Sequence, residues 1–134
     1  MITSEEIAIR VYQLLQASTV SSLISGTIDY ERADYTKEDV VVIPHTMTGE
    51  GSVRYGQINV NVHVPDLQKK TGFKINYPRL IEIRKEVINV LKNHYEIGSG
   101  YNWNISSIDP PIKEPKHDEH FVCVKLEITV RNKV

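Results

Sequence analysis

Residues 55–64 read Tyr55-Gly56-Gln57-Ile58-Asn59-Val60-Asn61-Val62-His63-Val64. Side chains alternate across an extended chain, so Ile58, Val60, Val62 and Val64 share one face and Gln57, Asn59, Asn61 and His63 the other. That is the pattern of a strand with one face on a core and one polar face. Upstream, Val40-Val41-Val42-Ile43 is continuously apolar and β-branched, which predicts a strand buried on both faces, ended by Pro44. Residues 45–52 between them are small, polar and glycine-bearing, and predict a hairpin loop. Far downstream, Glu119 to Arg131 repeats the alternation. Val122, Val124, Leu126, Ile128 and Val130 form its core face, and Lys125, Glu127, Thr129 and Arg131 its polar face. Phe121 and Cys123 make an apolar patch at one end of that polar face.

Two segments change the period from 2 to 3.6. Thr3-Ser4-Glu5-Glu6 offers a hydroxyl cap and acids for a first turn, and Ile7, Val11, Leu14 and Leu15 follow at helical spacing, predicting a helix over about 4–18. Pro78 suits a first turn, and Leu80, Arg84, Val87, Ile88, Leu91 and Tyr95 form a stripe, predicting a helix over about 78–96 that stops at Gly98 and Gly100. Residues 24–32 alternate as a half-exposed strand, and Trp103 to Ile108 reads as a short one. Residues 109–116 hold three prolines and predict an extended hairpin tip. The order α-β-β-β-α-β-β predicts one α+β domain over residues 1–134. Its sheet of about five strands is largely antiparallel or mixed, with both helices on one face. The polar segments 45–54 and 66–76 are expected to be mobile in the free chain and ordered on assembly.

With 134 residues, 40% apolar and 25% charged, the chain can build one core without disulfides. A net charge of −1 argues against a strongly basic nucleic-acid binder. The single cysteine excludes an intramolecular disulfide framework and a multi-cysteine zinc site. The opening residues lack the basic and apolar regions of a secretory signal, and no apolar run approaches a bilayer span, so a soluble domain of cytosolic type is expected.

The charge is uneven along the chain. Residues 1–40 sum to −4 and residues 65–96 to +3. Such a split serves solubility, or it brings unlike patches together between neighbours in a head-to-tail ring. The second reading sets Glu31, Asp34, Glu38 and Asp39 against Lys69, Lys70, Arg79 and Lys85 of the next subunit, with Tyr35 and Phe73 as apolar anchors.

Motifs for chemistry are sparse. Gly98-Ser99-Gly100 follows a helix instead of opening one, so it cannot cradle a pyrophosphate. Cys123 lies inside a strand and reads as a buried structural thiol. His117-Asp118-Glu119-His120 supplies the ligand types of a metal-dependent enzyme, but adjacent residues of an extended chain point to opposite faces. The reading therefore assigns no catalytic, cofactor or metal site. It leaves a polar sheet face of Gln57, Asn59, Asn61, His63 and Thr129, suited to protein contact or to a smooth hydrated wall better than to catalysis.

Glu38-Asp39-Val40-Val41-Val42-Ile43 followed by Gly56 to Asp66 resembles the tail terminator (tail completion) proteins of long-tailed bacteriophages, and related neck and head–tail joining proteins. In that family an N-terminal helix precedes a strand ending in arginine, here Arg32. An acid-acid, β-branched strand and an asparagine- and valine-rich strand come next, then a long helix and two closing strands. The family's arginine is followed by proline, where Ala33 stands here. The resemblance implies a phage or prophage structural protein of the virion, made in the host cytoplasm. It implies a hexameric ring that caps the tail tube and docks the head, with DNA passing through unbound. A head–tail adaptor one ring higher, a small metal-dependent enzyme using residues 117–120, and a bacterial domain that binds a protein through the polar face are the competing readings.

Overall fold

The computed structural model describes residues 1–92 and 98–131. Helix α1 (Ser4–Gln16) begins at a capping box, in which the Thr3 side chain takes the Glu6 N–H and the Glu6 carboxylate takes the Thr3 N–H. A short helix α2 (Val20–Leu23) follows, which the sequence pattern did not suggest. Strands β1 (Ile28–Asp29), β2 (Asp39–Pro44) and β3 (Val53–Pro65) come next, then a separate ribbon of β4 (Leu67–Lys69) and β5 (Gly72–Lys74). Helix α3 (Tyr77–Lys92), β6 (Tyr101–Ile108), β7 (Ile112–Lys113) and β8 (Glu119–Arg131) complete the order. The expected end of the second helix and Tyr95 lie outside the described residues.

The main sheet runs β1-β2-β3-β8-β6, with β7 added on β8. The long pair β3–β8 is antiparallel from Val53↔Arg131 to Pro65↔Glu119, which sets Val60 opposite Val124 and Ile58 opposite Leu126. These residues, with Val62, Val122 and Ile128, are fully buried against Ile7, Val11 and Leu15 of α1 and Leu80, Ile83, Val87 and Leu91 of α3. Both helices therefore cover one face, as the alternation required. The stripe of α3 passes through Ile83, with Arg84 at its edge reaching the Asp109 carbonyl (2.9 Å). Trp103 ties β6 to the end of α3, donating its indole N–H to the Leu91 carbonyl at 3.1 Å.

One expectation is corrected. The strand read over residues 24–32 is reduced to Ile28–Asp29, and it pairs with β2 in parallel, Ile28↔Val40, instead of as a hairpin. The reason is local. Gly26 sits where an added Cβ would overlap the Asp39 carboxylate and the Glu38 carbonyl. Gly26 N–H bonds the Glu38 carbonyl (2.8 Å) and Thr27 N–H the Asp39 carboxylate (2.8 Å). The chain then turns at Tyr30, whose N–H bonds Asp29 Oδ1, and must cross back before entering β2 in the same direction. A second difference is at 66–76, which the sequence pattern reads as a connection without strands. That segment is a ribbon with Lys69↔Gly72 at its turn, where Gly72 takes a positive φ of 130°.

Candidate functional site

The face opposite the helices has two unlike ends. Pairing places Asp39, His63 and Phe121 side by side across β2, β3 and β8, with Glu119 next along β8. The returning segment 30–38 crosses over this end. Arg32 descends from it between two carboxylates, bonding Asp39 Oδ2 and bonding Glu119 through Nη2 (2.5 Å) and Nε (3.1 Å). Asp39 is 1% exposed and Glu119 0%. Asp39 also accepts N–H bonds from Thr27, Ala33 and Asp34. Burial pushes the Asp39 carboxyl up, but these N–H groups and the Arg32 guanidinium outweigh it and hold it below the ordinary range. Tyr35 lies under the Arg32 guanidinium and stacks on the His117 ring, with centroids 3.5 Å apart.

His63 lies in this cover, stacked on Phe121 at 5.0 Å. Its Nδ1 stands 3.7 Å from Glu119 Oε1, beyond hydrogen-bond length. Burial holds its pKa below the usual value, with Arg32 adding to the effect and Glu119 and Asp39 opposing it. Asn61 is also buried, at 9% exposure. Of the polar face read from the sequence, Asn61 and His63 are thus interior residues. Gln57, Asn59 and Thr129 stay half-buried at the other end, where Gln57 donates to Asn59 at 2.7 Å.

The expected interface residues separate into those used within the chain and those left outside. Glu38 pairs with Arg79 through two bonds of 2.7 Å, and Arg79 also donates to the Leu23 carbonyl. An acidic and a basic member of the contact expected between neighbours therefore meet within one chain. Asp39 is buried, Asp34 accepts the Thr36 N–H (2.8 Å), and Tyr35 belongs to the cover. Asp39 is thus buried away from the expected contact and Glu38 and Arg79 are occupied within the chain, while Tyr35, stacked on His117, remains 41% exposed. Glu31, Lys69, Lys70, Phe73 and Lys85 are exposed.

The cluster 117–120 is spread over separate duties. His117 stacks on Tyr35, Asp118 gives its carbonyl to Asp66 N–H, Glu119 takes Arg32, and His120 Nδ1 meets Asp66 Oδ1 at 2.6 Å. Among the described residues no group of three His, Cys, Asp or Glu side chains is placed to hold a metal ion. Burial pushes the Cys123 thiol up to about 11, which suppresses its thiolate.

A depression of about 270 Å³ lies between Tyr12, Gln16 and Ser21 and residues 26–29, and two others border Pro44. One, of about 510 Å³, lies between the start of α1 and residues 44–49, with buried Arg54 donating to the Ile2 carbonyl beside it. The other, of about 250 Å³, is apolar, formed by Ala8 and Ile9 of α1 with Tyr30 and Pro44, and Glu5 at its rim. Sequence reasoning missed Arg54 and this groove. The signal for Arg54 was its even parity with Ile58 and Val60, which puts it on the core face. The chain matches no protein-family model and no curated protein.

Proposed function

We propose that this protein is a structural subunit of a phage or prophage tail, a tail terminator that forms a ring at the head-proximal end of the tail tube and joins it to the head or neck. The observation that carries the reading is the β4–β5 ribbon. Residues 67–74 are all exposed, and Leu67, Phe73 and the adjoining Tyr77 hold apolar surface in water. A two-stranded ribbon is marginal by itself, so a ribbon that leaves Phe73 53% and Leu67 39% exposed in its own chain suits a subunit completed by a neighbour. The resemblance of residues 38–66 to terminator proteins supports the same reading, as does the open polar end of the sheet around Gln57 and Asn59. The role is architectural and not catalytic. Solution mass and electron microscopy, with and without tail-tube protein, test it. The expected result is a closed ring that associates with the tube end. A monomer under both conditions overturns it, and a ring that binds a head connector but never the tube places the protein one level higher, as an adaptor.

A further inference from the structure

The β4–β5 ribbon and the Ile9–Tyr30–Pro44 groove are opposites. The ribbon carries Lys69, Lys70 and Lys74 around an exposed Phe73 (53%). The groove is apolar, lies between α1 and the β1–β2 edge, and has Glu5 at its rim, while the exposed Asp29 and Glu31 flank its Tyr30 in sequence. Strand β1 pairs β2 only at Val40 and Val41, so β1 gives no cover along Val42–Pro44 beside the groove. Within one chain the two leave the sheet at different ends. The ribbon departs where β3 finishes beside Asp39, whereas the groove reaches Pro44, about 17 Å along β2 at ~3.3 Å per residue.

We infer that the β4–β5 ribbon of one subunit docks in the Ile9–Tyr30–Pro44 groove of a second copy of this chain, with Phe73 entering the groove and Lys69, Lys70 and Lys74 meeting Glu5, Asp29 and Glu31. The inference rests on the ring reading above and names its contact. Two different patches meet, so each subunit offers one ribbon and one groove, and the contact propagates head to tail until it closes. Phe73 is the anchor and the charges form the rim, where they steer encounter and fix orientation. The occupant of the groove is basic and aromatic because the rim is acidic and the lining apolar.

Disulfide capture tests the contact. Ile9→Cys and Phe73→Cys in the same chain should, on mild oxidation, give a ladder of covalent oligomers on non-reducing gels, while neither single variant gives one. Native Cys123 is 5% exposed and contributes no background. Lys69→Glu with Lys70→Glu should raise the concentration needed for assembly about tenfold. Adding Glu5→Lys and Glu31→Lys to that variant should restore it. All four side chains are exposed, and because Glu5 lies in the first turn of α1, circular dichroism of the variant checks that the fold is kept. A ring by mass that yields no ladder overturns this contact and leaves the ring reading standing. Dimers from Phe73→Cys alone, with no ladder from the pair, mean that ribbons meet each other and also overturn it. A monomer at every concentration, with or without tail-tube protein, overturns the ring reading and this contact together.

Discussion

Residues 30–38 lay Arg32 between Asp39 and Glu119, whereas residues 66–76 hold Lys69, Lys70 and Lys74 in water. Both are polar connections joining neighbouring elements, and both carry aromatic side chains. They differ in what waits beneath them. Under the first lie two buried carboxylates on adjacent strands, which need a cation, and an arginine satisfies both with its fork of donors. The second carries its own buried acid, Asp66, and that is held by His120 at 2.6 Å. A polar connection is fixed onto a sheet when the sheet presents buried charge that only the connection can neutralise.

Arg32→Met removes that neutralisation and should have the largest effect. It leaves Asp39 and Glu119 buried without their cation, a loss of roughly 3–5 kcal/mol. Urea unfolding measures it; a change under about 1 kcal/mol would mean that the carboxylates do not depend on the covering segment. Gly26→Ala forces the Asp39 carboxylate and the Glu38 carbonyl aside and should cost about 1–3 kcal/mol. An unchanged midpoint for this variant would show that the parallel entry into β2 is loose. Glu38→Gln weakens the Arg79 pair, but the Arg79 side chain is 28% exposed, so solvent screening holds the loss to about 1 kcal/mol.

Acid should sharpen the contrast in two stages. His63 has a depressed pKa when folded, so below about 6.5 the unfolded chain binds the additional proton and stability falls as pH drops. Asp39 and Glu38 are also held low. Their contribution is present above the ordinary carboxyl range near 4 and is lost as pH falls through their depressed folded values. His63→Phe should flatten the upper stage and leave the lower one, as read by thermal midpoints between pH 8 and pH 3. Two unchanged stages in that variant would assign the upper one to a different group. At the small end, Lys69→Ala or Phe73→Ser should change the stability of the isolated subunit by less than about 0.5 kcal/mol. A larger loss would mean that the ribbon packs on its own domain.

Legibility followed the range of the interactions. Helix α1, β2, β3 and β8 announce themselves because period and capping are local, and the core set of Val60, Val62, Val124, Leu126 and Ile128 follows from parity alone. Ile83 was passed over because the stripe was drawn through Arg84, whose aliphatic stem lies at its edge. The parallel β1–β2 pair was hidden, since it depends on a glycine accepting the Asp39 carboxylate at close range. The Arg32–Glu119 contact joins residues 87 apart in sequence, so no spacing rule could reach it. A usable signal did exist in Asp39. An acid at the mouth of a strand buried on both faces has to find donors, and the one arginine upstream in the same connection was Arg32. The ribbon was not read from the sequence, although Lys70-Thr71-Gly72 offers a turn signal between short extended runs.

The indole of Trp103 gives the molecule a built-in optical gauge. It is the chain's single tryptophan, 7% exposed, and its N–H bonds the last turns of α3. Its emission therefore responds to the parting of α3 from β6, far from the segment 30–38, whose own chromophores are Tyr30 and Tyr35. Tryptophan fluorescence, and the part of the absorbance of the chain's seven tyrosines that a Tyr35→Phe variant loses, followed through unfolding, watch opposite edges of the same sheet. Coincident curves mean that the two edges melt as one cooperative unit, and a tyrosine signal that moves first means that the cover over His63 lifts while the helices still hold.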